Sequence, residues 1–180
     1  MKERLDRSIR YQERYDRLKD YMSRKPRNRL ASVRLFGPPA TGKSYMVRNI
    51  AKDIGADIFT ISGSPQVCNE DLTGFFTIES GRSRWNDGIV IQAMKNANRG
   101  RKTVLEITEM NALKPECMLS LYELLSYDRC VTERGRSSPP ICLENDAEMV
   151  LVAEDTLGPM GIRVIQESFD DKFEVTMVVD

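Results

Sequence analysis

The chain has 180 residues, of which 41% are hydrophobic and 30% charged, enough for one α/β domain with a real core and too little for two large ones. Its 27 basic and 27 acidic side chains cancel, and it contains no histidine, which excludes histidine triads, histidine-bound zinc and imidazole acid–base catalysis. A charged opening (MKERLDRSIR), the lack of any apolar run near the roughly 18 residues of a membrane span, and four cysteines without CxxC spacing together predict a cytoplasmic chain with no membrane partner and reduced thiols at Cys68, Cys117, Cys130 and Cys142.

Residues 2–23 are predicted as one helix, because Tyr11, Tyr15, Leu18 and Met22 recur at helical spacing on one side and charge fills the others. Residues 1–30 hold 11 basic and 5 acidic side chains, a net +6, whereas residues 143–180 hold 2 and 10, a net −8. Three readings stay open: a solvated helix, a basic arm for nucleic acid, or an edge that docks the acidic edge of a neighbouring copy. Pro26 disfavours helical geometry at Lys25, so residues 24–30 join a charged N-terminal helix (1–30) to the main domain (31–180).

From Ala31 the pattern alternates. A strand at 31–36 leads through a Gly/Pro loop to a helix from Gly42 to Ile54, ended by Gly55. A strand at 56–62, an irregular stretch to Asn86, a helix at 87–98 and a strand at 102–108 follow. Pro115 opens a helix to about Ser126. A hairpin at 129–144, a strand at 148–154, a short helix near 163–169 and a strand at 173–179 complete the series. Strands separated by helices predict a parallel sheet covered on both faces.

Gly37-Pro38-Pro39-Ala40-Thr41-Gly42-Lys43-Ser44 matches G-x-x-x-x-G-K-[ST] at every fixed position, after a strand and before a helix. Such a loop turns its backbone N–H groups inward, and the following helix aims its positive end at phosphate. Lys43 supplies charge to the β- and γ-phosphates, and the Ser44 hydroxyl is a magnesium ligand. Nucleoside triphosphate binding follows as the expectation. No N-K-x-D guanine-reading motif is present.

In Thr103–Ala112 (TVLEITEMNA) an apolar strand ends in a polar step. Catalytic side chains gather at the carboxyl ends of parallel strands, so Glu109 is expected to polarise a water for attack on the γ-phosphate. The rival is a surface glutamate that caps the next helix.

Taken in order, GPPATGKS, Asp71-Leu72-Thr73-Gly74, Trp85-Asn86-Asp87-Gly88, Thr108-Glu109-Met110-Asn111, the helix PECMLSLYELL and the block IQESFDDKFEV resemble the AAA+ ATPases, in particular the MoxR-like and dynein-related group. The resemblance covers about residues 31–180. It implies a three-layer P-loop NTPase fold with a parallel five-stranded core sheet in the order 5-1-4-3-2. It further implies an ATP-binding, magnesium-dependent ATPase that works as a ring-forming remodelling module on a protein substrate.

Departures from the family pattern bear on turnover. Thr108 stands where the family has an acidic residue beside magnesium, so its place at the metal carries no charge, and Glu106 two residues back is the candidate substitute. The sensor position falls at Asp155 or Thr156, of which Thr156 can hydrogen-bond a water or phosphate. The arginine finger becomes Lys172, which keeps the charge and loses the planar fork. The helical lid is not in the sequence, so a homo-oligomeric ring or a hetero-assembly that supplies a lid is expected. Binding without turnover, as a degenerate assembly module, is the alternative.

Overall fold

The computed structural model describes residues 2–24, 30–156 and 172–179. In chain order it forms α1 (Lys2–Ser23), β1 (Ala31–Gly37), α2 (Lys43–Asp53), β2 (Asp57–Ser62), α3 (Asn69–Thr73), β3 (Gly74–Glu79) and β4 (Arg82–Asp87). Then come α4 (Ile89–Asn98), β5 (Thr103–Thr108), a 3₁₀ turn (Met110–Ala112), α5 (Pro115–Leu124), β6 (Cys130–Val131), β7 (Ile141–Cys142), β8 (Met149–Thr156) and β9 (Val175–Val178).

Five of these strands pair in parallel in the order β2-β5-β8-β1-β9, the expected 5-1-4-3-2 order read from the other edge. Because all five run the same way, their carboxyl ends finish along one edge. The register aligns Gly37 with Thr156 and Ser62 with Thr108.

The central strands are near-continuous apolar runs, so both sheet faces must be covered. Leu105, Ile107, Leu151 and Ala153 face Val90 and Met94 of α4 and Leu121 and Leu124 of α5. On the other face Val33, Leu35, Val104 and Val152 meet Met46, Val47 and Ile50 of α2, with Leu18 and Met22 of α1. The α1 stripe is therefore spent on packing, with Leu18 fully buried, an effect of about 1.5–3 kcal/mol for such a side chain. Lys19 and the Tyr15 hydroxyl both reach Asp53 at the end of α2, at 2.6 and 2.8 Å. Tyr21 donates to Glu174, so part of the acidic C-terminal stretch is met by α1 of its own chain.

Three expectations change. The stretch from 63 to 86, read as irregular, holds α3 and the β3–β4 hairpin, which turns at Ser80 (φ 52) and Gly81 (φ 77). A Ser-Gly dipeptide with two positive φ values is the tight turn that the twist of paired strands favours. The strands themselves carry exposed Phe75, Phe76 and Ile78, which blurs the alternation that would have marked them.

The hairpin at 129–144 contracts to the two-residue strands β6 and β7, and its register sets Cys130 opposite Cys142. These two form a disulfide, which corrects the expectation of reduced thiols at those positions; Cys68 and Cys117 are free. Spacing rules for CxxC do not detect a pair created by strands folding back. The join at Pro26, the helix near 163–169 and most of the IQESFDDKFEV block lie outside the described residues. Among the described residues no helix is long and apolar enough to cross a membrane.

Candidate functional site

At the carboxyl edge of the sheet, β1 ends on Gly37 in a space that only glycine fits. A Cβ there would lie 1.9 Å from the carbonyl oxygen of Val179, whose N–H donates to Phe36 O at 2.7 Å. Beyond it Ala40 (φ 61) and Gly42 (φ 85) take left-handed conformations that coil the loop back toward α2. An L-alanine in that region carries a cost of about 1–2 kcal/mol.

Lys43 opens α2 and is only 6% exposed. Its Nζ donates to Gly37 O (2.9 Å) and Pro38 O (2.8 Å), so the loop's own carbonyls hold the ammonium at the centre of the curl. The first amides of a helix have no partner within it, and here they open toward the same space. That space is a cleft of about 360 Å³, lined by residues 39–45 with Ser62, Thr108, Glu109, Glu154 and Thr156. Its volume is in the range of small-ligand sites.

Glu109 follows β5 with φ 50, and its carbonyl lies where a Cβ on Gly63 would come within 2.2 Å. The Gly63 N–H donates to Thr108 O at 2.7 Å, which ties the end of β2 to the end of β5. Glu109 precedes the 3₁₀ turn, but its side chain makes no capping bond there. Instead it accepts a 2.5 Å hydrogen bond from Thr156 Oγ1 at the end of β8. The geometry thus disfavours the helix-cap reading. Asp155 projects to the opposite face, where it pairs with Arg34 and accepts the Asn111 N–H at 3.0 Å.

Beneath the loop lie two buried carboxylates. Ser44 Oγ donates to Glu154 Oε2 at 2.6 Å, and Glu154 is 3% exposed. Glu106, fully buried and outside the cleft lining, accepts from Thr60 Oγ1 (2.8 Å) and Arg48 Nε (3.4 Å). Neither Glu106 Oε1 nor Glu154 Oε1 has a donor among the described residues, and the two carboxylates can bond each other only when one keeps its proton. Burial first, and the neighbouring Glu106 second, push the Glu154 carboxyl up to about 7, against the pull of Ser44 and Lys43. A hard divalent cation takes oxygen ligands, and the Ser44 hydroxyl beside a buried carboxylate oxygen with no donor fits one.

The raised value carries a sign. Folding stability from a protonated Glu154 is complete below its ordinary value of 4.5 and is lost as pH rises through about 7. Without metal or nucleotide, the wild-type chain should therefore lose more stability than Glu154→Gln between pH 5 and 8. Urea melts of both proteins in EDTA at those two pH values measure the difference. Equal losses would mean that Glu154 ionises as freely in the fold as in the unfolded chain.

The remaining expected residues divide. Residues 39–44 line the cleft with Thr108, Glu109 and Thr156, while Gly37 and Pro38 support it from below through their carbonyls. Lys172 is exposed and is not gathered there: its carbonyl accepts from Ser32 Oγ (3.3 Å) at the amino end of β1, across the sheet from the loop. Asp71–Gly74 and Trp85–Gly88 meet each other, since a Cβ on Gly88 would sit 2.3 Å from Leu72 C, and Lys95 clamps Asp87 at 2.7 and 2.8 Å. They join α3, β4 and α4 and do not line the cleft. Sequence reasoning passed over Glu154 and Gly63. The only local trace of Glu154 was an acidic residue at the end of the apolar run VLVAE.

A family model described as AAA domain (dynein-related subfamily) matches residues 32–171. An uncharacterized protein of Staphylococcus saprophyticus is 30% identical over 153 residues, which is 82% of this chain and 55% of that protein. An uncharacterized protein of Staphylococcus epidermidis is 29% identical over 106 residues, 56% of this chain and 38% of that protein. The chain thus spans about half or less of these relatives' lengths. A crystal structure of a proposed ATPase from Cytophaga hutchinsonii covers 91% of this chain and 44% of its own, with TM-score 0.65 and 19% identity, a likeness of fold.

Proposed function

Since the chain belongs to the dynein-related AAA family, a family of nucleotide-binding ATPase domains, we propose that it binds ATP with magnesium in the cleft and hydrolyses it as one module of a ring-forming, MoxR-like remodelling ATPase. The observation that carries this reading is the convergence of Lys43, Ser44, Glu109 and Thr156 from three separate elements on one 360 Å³ cleft.

The loop amides and the Lys43 ammonium bind the phosphates, and Lys43 exchanges its two loop carbonyls for phosphate oxygens as it does so. The Ser44 hydroxyl would help hold the cation, which when bound would offset the phosphates' charge. Glu109 accepts the proton of the attacking water, and the Thr156 hydroxyl holds its carboxylate in one orientation. Thr108 lines the cleft without adding charge. Lys172, exposed and remote from its own cleft, is suited to reach the nucleotide of a neighbouring subunit. A partner would be a second copy or a chain that supplies a lid, and the remodelled substrate a protein.

Turnover and sedimentation, measured together across protein concentration, test the proposal. ATP hydrolysis per subunit should rise with concentration as larger species form, and the assembly should weaken with added salt, since charges are screened over about 10 Å at 0.1 M. ATP binding with flat, zero turnover would favour a degenerate module that holds ATP as a structural ligand. A monomer at every concentration up to about 100 μM, roughly −5.5 kcal/mol, would remove the homomeric ring.

A further inference from the structure

We infer that Glu154, on β8, supplies the carboxylate that the cation side of the phosphate loop requires and that Thr108, on the neighbouring strand, lacks. The inference rests on the nucleotide-site reading above and adds to it the residue that recognises the divalent cation.

The sheet register makes the substitution possible. Glu106 aligns with Val152 and Ile107 with Ala153, so one residue further Thr108 lies beside Glu154. Adjacent parallel strands are about 4.8 Å apart, and in-register side chains point to the same face. A carboxylate absent at the end of β5 is thus regained one strand away. Glutamate's longer stem suits that offset.

Three further observations converge on Glu154. Its Oε2 already receives the Ser44 hydroxyl at 2.6 Å, so the loop's metal-ligating side chain and this carboxylate share one spot in the cleft. Among the described residues its Oε1 has no donor although only 3% of the residue is exposed, an arrangement that is costly unless something positive completes it. Behind it the fully buried Glu106, fixed by Thr60 and Arg48, adds negative potential without reaching the cleft. Glu106 is a positioning residue here, not the replacement for the missing carboxylate. The Thr108 hydroxyl can hydrogen-bond but cannot offset a dication's charge.

Manganese serves as the probe, since free Mn2+ is counted directly by electron paramagnetic resonance. Two quantities are measured on the full chain: Mn2+ affinity at saturating ATP, and ATP affinity in EDTA. Glu154→Gln preserves size and one hydrogen-bond acceptor, and should lower Mn2+ affinity about 10–100-fold toward that of ATP alone. ATP affinity in EDTA should stay within about twofold or improve, because a negative neighbour of the phosphates is gone.

The double variant Thr108→Asp/Glu154→Thr returns the charge to the end of β5 and should restore most of the Mn2+ affinity. Melting curves establish that each variant is folded, and if Glu154→Gln does not fold, the double variant against Glu154→Thr alone carries the comparison. Wild-type Mn2+ affinity in a folded Glu154→Gln or Glu154→Thr protein would overturn the inference, as would a loss that Thr108→Asp does not recover. A wild-type chain that binds no ATP, with or without metal, would instead overturn the nucleotide-site reading and the inference with it.

Discussion

Lys43→Ala should abolish ATP binding and leave the domain folded. The ammonium is the one positive side chain among the described residues that line the cleft, and its removal leaves the phosphates to backbone dipoles and the cation. With ATP at about 100 times the dissociation constant, the wild-type chain should gain roughly 2.7 kcal/mol of stability, and the variant none. The fold itself should lose little. Among the described residues Lys43 Nζ donates to Gly37 O and Pro38 O, bonds whose loss costs about 1–2 kcal/mol once water replaces them. Thermal unfolding of both proteins with and without ATP reads the two effects separately. An ATP-induced shift that survives in the variant would remove the phosphate-loop assignment.

Glu109→Gln should keep ATP affinity and lower single-turnover hydrolysis by roughly 10²–10⁴-fold, the range of a positioned general base. The amide oxygen of glutamine can still accept the Thr156 hydroxyl, so the side chain stays in place and only the proton acceptor is lost. Selectivity is the mark of the effect: a slower chemical step with unchanged binding is expected of a base, whereas a parallel loss of both would point to collapse of the β5 end against Gly63. Unaltered turnover in the variant would reduce Glu109 to a cleft wall.

The legible parts of this protein are those in which cause and effect are neighbours in the chain. Eight consecutive residues, 37–44, carry every requirement of a phosphate loop, since glycine spacing, lysine and hydroxyl act within one turn. The α1 stripe of Tyr11, Tyr15, Leu18 and Met22 announces its packed side for the same reason, as helical periodicity is a local property. Short amphipathic strands are harder. The β3–β4 hairpin escaped because Phe75, Phe76 and Ile78 stand exposed on a two-stranded sheet, outside the rule that apolar side chains mark a core.

By itself, then, the sequence carries the phosphate-loop motif, the alternation of strands and helices and a glutamate, Glu109, just past the strand end, because each is written in contiguous residues. The tertiary structure alone decided which distant residues meet. It joined Cys130 to Cys142 by folding two strands back on each other, and it fitted Gly63 against the Glu109 carbonyl. It set the Glu154 carboxylate of β8 beneath Ser44, 110 residues away in the chain. These pairings depend on strand order and register, and those follow from how two apolar faces of one sheet are jointly buried, a condition no single stretch of chain contains.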